Sequence, residues 1–179
     1  RERLNAQAAS LPDEAFIATT EIDLRLRVSD VSIDLIEEMG RLSPFGMGNP
    51  SPRVVVEGAN IRDLKRIGRD LTHLKVLVTD GKTELDGIGF GFGDAVDEVS
   101  SLAEVSLMGS LNINEWNGFR KPQLMIQDLA VVDYQLFDYR GGKKPLTDLF
   151  ELPHDTTTYV AFSEETQSKY AERPLNGEA

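Results

Sequence analysis

The sequence predicts a mostly β fold with some α-helix, built around a small barrel of five strands. Five short segments rich in Val, Ile and Leu are separated by turn-forming residues, which is typical of consecutive strands. A short helix is predicted between the third and fourth strands, over residues 94–102. The chain has 179 residues, 40% of them apolar, which is enough for one hydrophobic core and additional segments. The predicted strands are 53–61, 71–79, 83–92, 104–113 and 121–132.

The residue pattern of the segment before the barrel predicts a linker. Residues 1–10 have the character of a helix end. Over residues 20–28 apolar side chains occupy every second position, which predicts a half-buried strand. Residues 30–41 place apolar side chains at helical spacing, which predicts a short amphipathic helix. Residues 44–52 then contain three prolines and two glycines, so regular structure is excluded there and a domain boundary is expected.

The turns and side-chain alternation inside the barrel support this order. Asp80-Gly81-Lys82 is a hairpin signal between the second and third strands. The second strand is predicted to point Leu74, Val76 and Val78 into the core. The third is predicted to point Ile88 and Phe90 inward and Gly87, Gly89 and Gly91 outward, where either barrel curvature or a closely approaching ligand would explain the glycines. Strand, strand, strand, helix, strand, strand is the element order of the OB barrel.

Three regions follow from this pattern. Residues 1–43 form a linker region, residues 44–134 the OB domain, and residues 135–179 the start of an additional, partly disordered C-terminal domain. In the last region a short helix over 146–152 and a strand over 156–162 are predicted, followed by a polar, acidic tail.

The composition excludes several classes of site. There is no cysteine, which excludes disulfide scaffolds, thiolate zinc sites and cysteine nucleophiles. The two histidines, His73 and His154, are far apart in sequence, so no histidine-rich metal cluster is predicted. No apolar run is long enough to span a membrane. The chain begins at Arg1 without a signal peptide, and we expect a cytoplasmic piece of a longer protein.

The net charge of −11 opposes nucleic-acid binding, but basic residues are concentrated locally. Residues 60–77 contain five basic side chains against two acidic ones, a local excess of three positive charges. A local patch matters more than the total within a Debye length of roughly 8 Å.

The candidate site is a nucleic-acid interface. An OB barrel holds its ligand across strands two and three, between the loop joining strands one and two and the loop joining strands four and five. The basic cluster is predicted to lie in or beside the first loop, and a second cluster near Trp116 in the other. Each of these residues also has a structural alternative. The basic residues could simply form a charged, solvent-exposed surface. His73 could have a hydrogen-bonded structural role, and Trp116 could fold back as a lid on the barrel end. The predicted binding residues are Arg62, Lys65, Arg66, Arg69, His73, Lys75, Trp116, Arg120 and Lys121.

An ordered set of motifs resembles a known family. Pro44-Phe45-Gly46-Met47-Gly48-Asn49-Pro50 resembles the motif at the entry to the OB domain of RecJ-type single-stranded-DNA-specific exonucleases of the DHH family. Residues 1–43 resemble the end of the DHH-associated domain, with residues 1–5 as its last helix, and the linker that follows it. Residues 137–141 resemble the opening of a C-terminal domain found in some bacterial members. The motifs that follow in family order are Gly68, His73-Leu74-Lys75, Gly87-Ile88-Gly89-Phe90-Gly91, Asn114-Glu115-Trp116-Asn117-Gly118 and Gln123-Leu124-Met125-Ile126-Gln127-Asp128.

The resemblance implies a 5′-to-3′ exonuclease that acts on single-stranded DNA in repair and recombination. Its catalytic centre, with Mn²⁺ or Mg²⁺ held by Asp and His residues, would lie outside this chain, so no catalytic residue, metal ligand or cofactor is expected here. The implied partners are single-stranded DNA, the catalytic DHH domains of the same protein, and single-stranded-DNA-binding protein or other repair proteins. Two alternatives remain: a protein-interaction module of the same enzyme, and an RNA-binding OB domain of another enzyme.

Overall fold

The computed structural model describes residues 19–132 and 134–137, which all belong to one compact unit ending at Phe137. The predicted helix end before residue 11, the helix over 146–152 and the strand over 156–162 lie outside the described residues. Within the described part of the chain, no helix is long and apolar enough to cross a membrane.

Six strands and two α-helices form along the described residues. A 3₁₀ turn, Val28–Asp30, follows the first strand. The elements are β1 (Leu24–Leu26), α1 (Ile33–Gly40), β2 (Val54–Ile67), β3 (His73–Thr79), β4 (Glu84–Gly89), α2 (Ala95–Glu98), β5 (Glu104–Trp116) and β6 (Phe119–Val131).

Strands β2 to β6 close into a barrel, which confirms the predicted OB fold. Strand β2 pairs antiparallel with both β3 and β5, and β3 pairs antiparallel with β4. Strand β4 then pairs in parallel with β6, which returns antiparallel to β5. The connection through α2 leads from β4 to β5, and the β5–β6 hairpin then places β6 between them, which gives the Greek-key order of the OB barrel.

Strand β2 continues well beyond the predicted 53–61 because a bulge bends it between two partners. Its first residues, Val54–Val56, pair with β5 on one side and in parallel with β1 on the other. The register with β5 then shifts between Val56 and Ala59, where Gly58 has a φ of +63°. After this bulge, residues 60–67 pair with β3.

The alternation of β3 is confirmed. Leu74, Val76 and Val78 are fully buried in the core. The linker also contributes to that core, since Val28 is buried within it and Met39 of α1 packs against it. Residues before the barrel therefore share its hydrophobic core.

The prediction of which β4 residues point into the barrel core is wrong. Leu85, Gly87 and Gly89 point inward, whereas Ile88 is half-buried and Phe90 is 62% exposed on the outer face. A Cβ atom at Gly87 would lie 2.8 Å from Val76 Cγ1 and would crowd the barrel interior. The two inward glycines are thus explained by the limited space inside the barrel. Gly91 lies just beyond the strand, with a φ of +77°.

Several element bounds also differ from prediction. Strand β1 has three residues, and α1 begins after Ser32, whose hydroxyl accepts a hydrogen bond from the Leu35 N–H at 3.1 Å. Helix α2 has only four residues because Val99 adopts an extended conformation. Strands β5 and β6 extend further than predicted because Asn117 and Gly118, with φ of 50° and 78°, form a tight hairpin turn.

Candidate nucleic-acid interface

The outer face of β3 and β4 lies where an OB barrel holds its ligand. Alternate side chains of the two strands share this side, together with the residue directly after β4. We call this surface the β3–β4 face, and it consists of His73, Lys75, Leu77, Asp86, Ile88 and Phe90. It combines apolar, aromatic and charged groups, as a surface for bases and phosphates requires.

Ion pairs neutralise three of the predicted basic residues on or beside this face. Each pair is partly exposed to solvent, so each contributes little to stability, about 0–1 kcal/mol. The hydrogen bond from Lys65 holds the pKa of the Asp63 carboxyl below its ordinary value of 3.8. The local excess of positive charge in the sequence is therefore largely balanced in three dimensions. The pairs are Arg62 with Glu84, Lys65 with Asp63 at 2.7 Å, and Lys75 with Asp86 at 3.5 Å.

Of the basic residues predicted in or beside the first loop, Arg62, Lys65 and Arg66 do not lie in it, although Arg66 is only two residues before it. They lie within β2, because β2 extends to Ile67. Only Arg69 occupies the loop between β2 and β3, residues 68–72. The periodicity of the sequence did not reveal this, because the bulge that prolongs β2 depends on its partner strands.

Arg66 is directed to α2. Its guanidinium donates to Asp97 Oδ2 at 2.7 Å and lies 3.8 Å from Asp94 Oδ1. The hydrogen bond to Asp97 is the main cause that raises the pKa of Arg66 above its ordinary value. Arg66 therefore joins β2 to the helix between β4 and β5.

His73 has the hydrogen bonds and ring contacts of a structural histidine. The Gly91 N–H donates to His73 Nδ1 at 3.2 Å, and the rings of His73 and Phe90 pack edge to face with centroids 5.1 Å apart. A Cβ atom at Gly68 would lie 3.1 Å from His73 Cδ2. The ring therefore connects the start of the β2–β3 loop to the end of β4.

The β5–β6 hairpin presents two aromatic side chains to solvent. Trp116 is 73% exposed and its cross-strand neighbour Phe119 is 74% exposed. The alternative in which Trp116 folds back as a lid on the barrel end is therefore wrong. Tryptophan is usually well buried, so an exposed Trp–Phe pair at a hairpin tip is a specific feature of this surface.

The remaining basic residues of the predicted site differ in their partners. Arg120 donates to Glu37 Oε1 of α1 at 2.9 Å, which connects the hairpin to the linker helix. Across residues 19–132 and 134–137, neither Arg69 nor Lys121 forms an ion pair within 4 Å. Arg69 and Lys121 are thus the predicted binding residues whose positive charge is least neutralised.

The hairpin tip and Phe90 mark two ends of one surface. The parallel register of β4 and β6 aligns Asp86 with Gln123. Phe119 lies four residues before Gln123, and Phe90 lies four residues after Asp86. At about 3.3 Å per strand residue the two aromatic positions are separated by about 26 Å along the strands.

An open pocket of about 420 Å³ lies between the β2–β3 loop and the segment after β4. The Gly93 N–H donates to the Thr72 carbonyl at 2.9 Å, which holds the loop against the barrel. Of the charged residues that line the pocket, Asp70 and Asp94 outnumber Arg66, so the pocket does not have the charge of a phosphate site. Among the described residues, no group of three His, Asp or Glu side chains is arranged to hold a metal ion.

Comparison with known proteins gives consistent matches. The family model of the RecJ OB domain matches residues 22–128, which include β1 and α1. Single-stranded-DNA-specific exonuclease RecJ of Bacillus subtilis is 41% identical over 167 residues, 93% of this chain and 21% of the relative. RecJ of Haemophilus influenzae is 28% identical over 113 residues, 62% of this chain and 20% of the relative. The chain thus spans about a fifth of the length of these relatives.

Solved structures agree with these relatives. RecJ of Thermus thermophilus in complex with Mg²⁺ is 27% identical with a TM-score of 0.50, over 72% of this chain and 19% of that one. The same protein with Mn²⁺ is 25% identical with a TM-score of 0.51, over 75% and 19%. With the closed barrel, the matched motifs and these relatives in agreement, the chain belongs to the RecJ OB-domain family.

Proposed function

We propose that this chain is the single-stranded-DNA-binding OB region of a RecJ-like 5′-to-3′ single-strand-specific exonuclease. It guides DNA towards a catalytic centre that lies outside these 179 residues, in a cytoplasmic enzyme of DNA repair and recombination. The main support for the proposal is the exposed pair of aromatic side chains, Trp116 and Phe119, at the tip of the β5–β6 hairpin. This hairpin corresponds to one of the two loops that flank the ligand of an OB barrel.

Stacking accounts for this arrangement of aromatic side chains. A base stacked on an aromatic ring contributes about 1–3 kcal/mol, and the contact tolerates any base because every base has a flat π face. Arg120 and Lys121 follow Phe119 directly, so positive charge is available beside the rings. The proposed mode therefore combines stacking with backbone contacts and has little sequence preference.

The ion pairs of the β3–β4 face support weak binding by the isolated chain. A phosphate that binds Lys75 or Arg62 must replace a carboxylate already in place, so each exchange gains little. The net charge of −11 adds long-range repulsion. We expect the catalytic domains of the same protein to supply much of the affinity, and the Mn²⁺ or Mg²⁺ ions of the reaction to bind there.

Trp116 is the one tryptophan of the chain, so its fluorescence reports on the hairpin tip alone. Titration with oligo-dT at low salt is expected to quench this fluorescence in parallel with a rise in anisotropy of a labelled oligonucleotide. Both signals weaken as salt increases, because the counterions released from DNA on binding gain less entropy when the bulk salt concentration is higher. Unchanged fluorescence and anisotropy at high micromolar protein would contradict the proposal.

A protein-interaction module is the second candidate, and the turn formed by residues 42–50 favours it. The Asn49 side-chain amide donates to the carbonyls of Leu42 and Pro44, both at 3.0 Å, and Met47 is fully exposed in the turn. An ordered turn that presents an apolar side chain is suited to contact with the catalytic domains or another repair protein. Binding of a RecJ catalytic fragment without binding of oligo-dT would favour this candidate. Tighter binding of RNA than of DNA of the same sequence would instead favour an RNA-binding domain.

A further inference from the structure

Phe90 is an aromatic side chain that the barrel leaves outside its core. It lies directly after β4 on the β3–β4 face and is 62% exposed. Phe92, two residues further on, packs against the core instead. Burial therefore does not explain an aromatic residue at position 90, since its ring stays largely in contact with water.

The ring of Phe90 is nevertheless held from one side. The ring of His73 packs against it at 5.1 Å between centroids and 78° between planes. His73 is itself fixed by the hydrogen bond from the Gly91 N–H at 3.2 Å, immediately after Phe90. A side chain that is fixed before binding loses less conformational entropy when a ligand packs on it.

We propose that Phe90 is a second stacking site, which binds one nucleobase of single-stranded DNA at the end of the groove opposite the hairpin tip. The inference rests on the proposed function and assigns to Phe90 a role beyond that of Trp116 and Phe119. The two sites lie about 26 Å apart along the strands. That separation accommodates a strand of several nucleotides, within the range of about 4–16 nucleotides covered by one OB fold.

The Phe90 ring carries no charge, so it offers a stacking surface for a base and no contact for a phosphate. Asp86, the nearest acidic residue of the same face on β4, already pairs with Lys75. Arg69 lies in the adjacent β2–β3 loop, whose first residue, Gly68, approaches the His73 ring. Arg69 forms no ion pair in the described part of the chain. With a base on Phe90 and its phosphate towards Arg69, the base would meet an aromatic ring and the phosphate a guanidinium.

The test compares Phe90→Ala with Phe90→Tyr in the 179-residue chain, by anisotropy with oligo-dT. Loss of the ring is expected to weaken binding about 5- to 100-fold, whereas tyrosine keeps affinity within about twofold. The slope of log affinity against log salt stays unchanged in both, because no phosphate contact is lost. The matched control is Leu102→Ala, which removes a side chain of similar exposure, 63%, from the α2–β5 turn and leaves affinity unchanged.

A second measurement reports on stacking itself. An oligonucleotide with 2-aminopurine among thymines is expected to be quenched by the wild-type chain and less so by Phe90→Ala. Equal thermal unfolding midpoints confirm that the variants fold, and Phe90→Leu replaces the alanine variant if that one unfolds. Equal affinity of wild type and Phe90→Ala, with Trp116 still quenched, overturns the Phe90 assignment alone. Equal losses in the alanine and tyrosine variants overturn it as well. Failure of the wild-type chain to bind oligo-dT overturns both this inference and the proposed function.

Discussion

Lys75 Nζ lies 3.5 Å from Asp86 Oδ1 across the outer side of β3 and β4, so a lysine of the proposed groove is neutralised by the neighbouring strand. The same is true of Arg62 with Glu84. These pairs explain how a chain with a basic cluster in its sequence presents a nearly balanced surface. They also make the groove's affinity for phosphate adjustable by single substitutions.

Removal of the Asp86 charge is expected to strengthen binding. Asp86→Asn keeps the shape of the side chain but releases Lys75 for a phosphate. The salt dependence of oligo-dT affinity should therefore steepen by up to about 0.7 in the logarithmic slope. Anisotropy at several salt concentrations measures this. Glu21→Gln, the same loss of one negative charge ahead of β1, is the control, and equal gains in both variants would mean that net charge alone is responsible.

Arg69 and Arg66 are expected to have different roles. Arg69→Ala removes a guanidinium without an ion pair among the described residues, so it should flatten the salt slope by about 0.7 and leave the unfolding midpoint unchanged. Arg66→Ala removes the hydrogen bond to Asp97 and should lower the unfolding midpoint. Arg53→Ala, at the start of β2, is the control for loss of a positive charge. An unchanged slope in Arg69→Ala would place the DNA away from the β2–β3 loop.

The interior of the barrel has no space for a methyl group at position 87. In Gly87→Ala the new Cβ would lie 2.8 Å from Val76 Cγ1 and 2.9 Å from Ile126 Cδ1, so the free energy of unfolding should fall by about 1–3 kcal/mol. Urea denaturation provides the measurement. Gly40→Ala is the matched control: nothing lies within 4 Å of its Cβ, and alanine in α1 should leave stability unchanged or raise it by up to about 1 kcal/mol.

Asp80 is expected to make stability depend on acid pH. Hydrogen bonds from the backbone N–H groups of Thr83 and Lys82 hold the pKa of Asp80 well below its ordinary value of 3.8. The folded pKa is the lower one, so this contribution to stability is present above the unfolded pKa and is lost as pH falls below it. Asp80→Asn should lower the unfolding midpoint at pH 7 and show a smaller further decrease below pH 3.8. The difference should persist in 1 M salt because the hydrogen bonds are local, and identical pH profiles would contradict this role.

His73 is expected to act on DNA through Phe90. His73→Ala removes the acceptor for Gly91 N–H and the ring that holds Phe90, so oligo-dT affinity should fall. In the Phe90→Ala background the same substitution should have little further effect. This double-mutant cycle separates a positioning role from general destabilisation, and fully additive losses would exclude the positioning role.

The sequence by itself determined the order of the elements. In β3, Leu74, Val76 and Val78 share one face, whereas the other face carries His73, Lys75 and a single apolar residue, Leu77, so the pattern favoured burial of the first set, and the structure has that arrangement. The hairpin signal at Asp80-Gly81-Lys82 and the helix between the third and fourth strands followed from local chemistry in the same way. Local propensities and a period of two suffice for these features because they depend on neighbours in sequence.

Tertiary structure decided what depends on distant neighbours. Both faces of β4 have residues that could be buried: Ile88 and Phe90 on one face, Leu85 and the glycines on the other. Val76 and Ile126 fill the barrel interior, so only the face with the glycines fits there. The sequence did contain a signal for this arrangement, because apolar Leu85 shares the face of the glycines whereas charged Asp86 shares the face of Ile88 and Phe90. The direction of Arg66 towards α2, the partners of Lys75 and Arg120, and the exposure of Trp116 likewise depend on residues distant in sequence. Periodicity indicates which side chains share a face, but only the closed barrel fixes which face is buried and which charges meet.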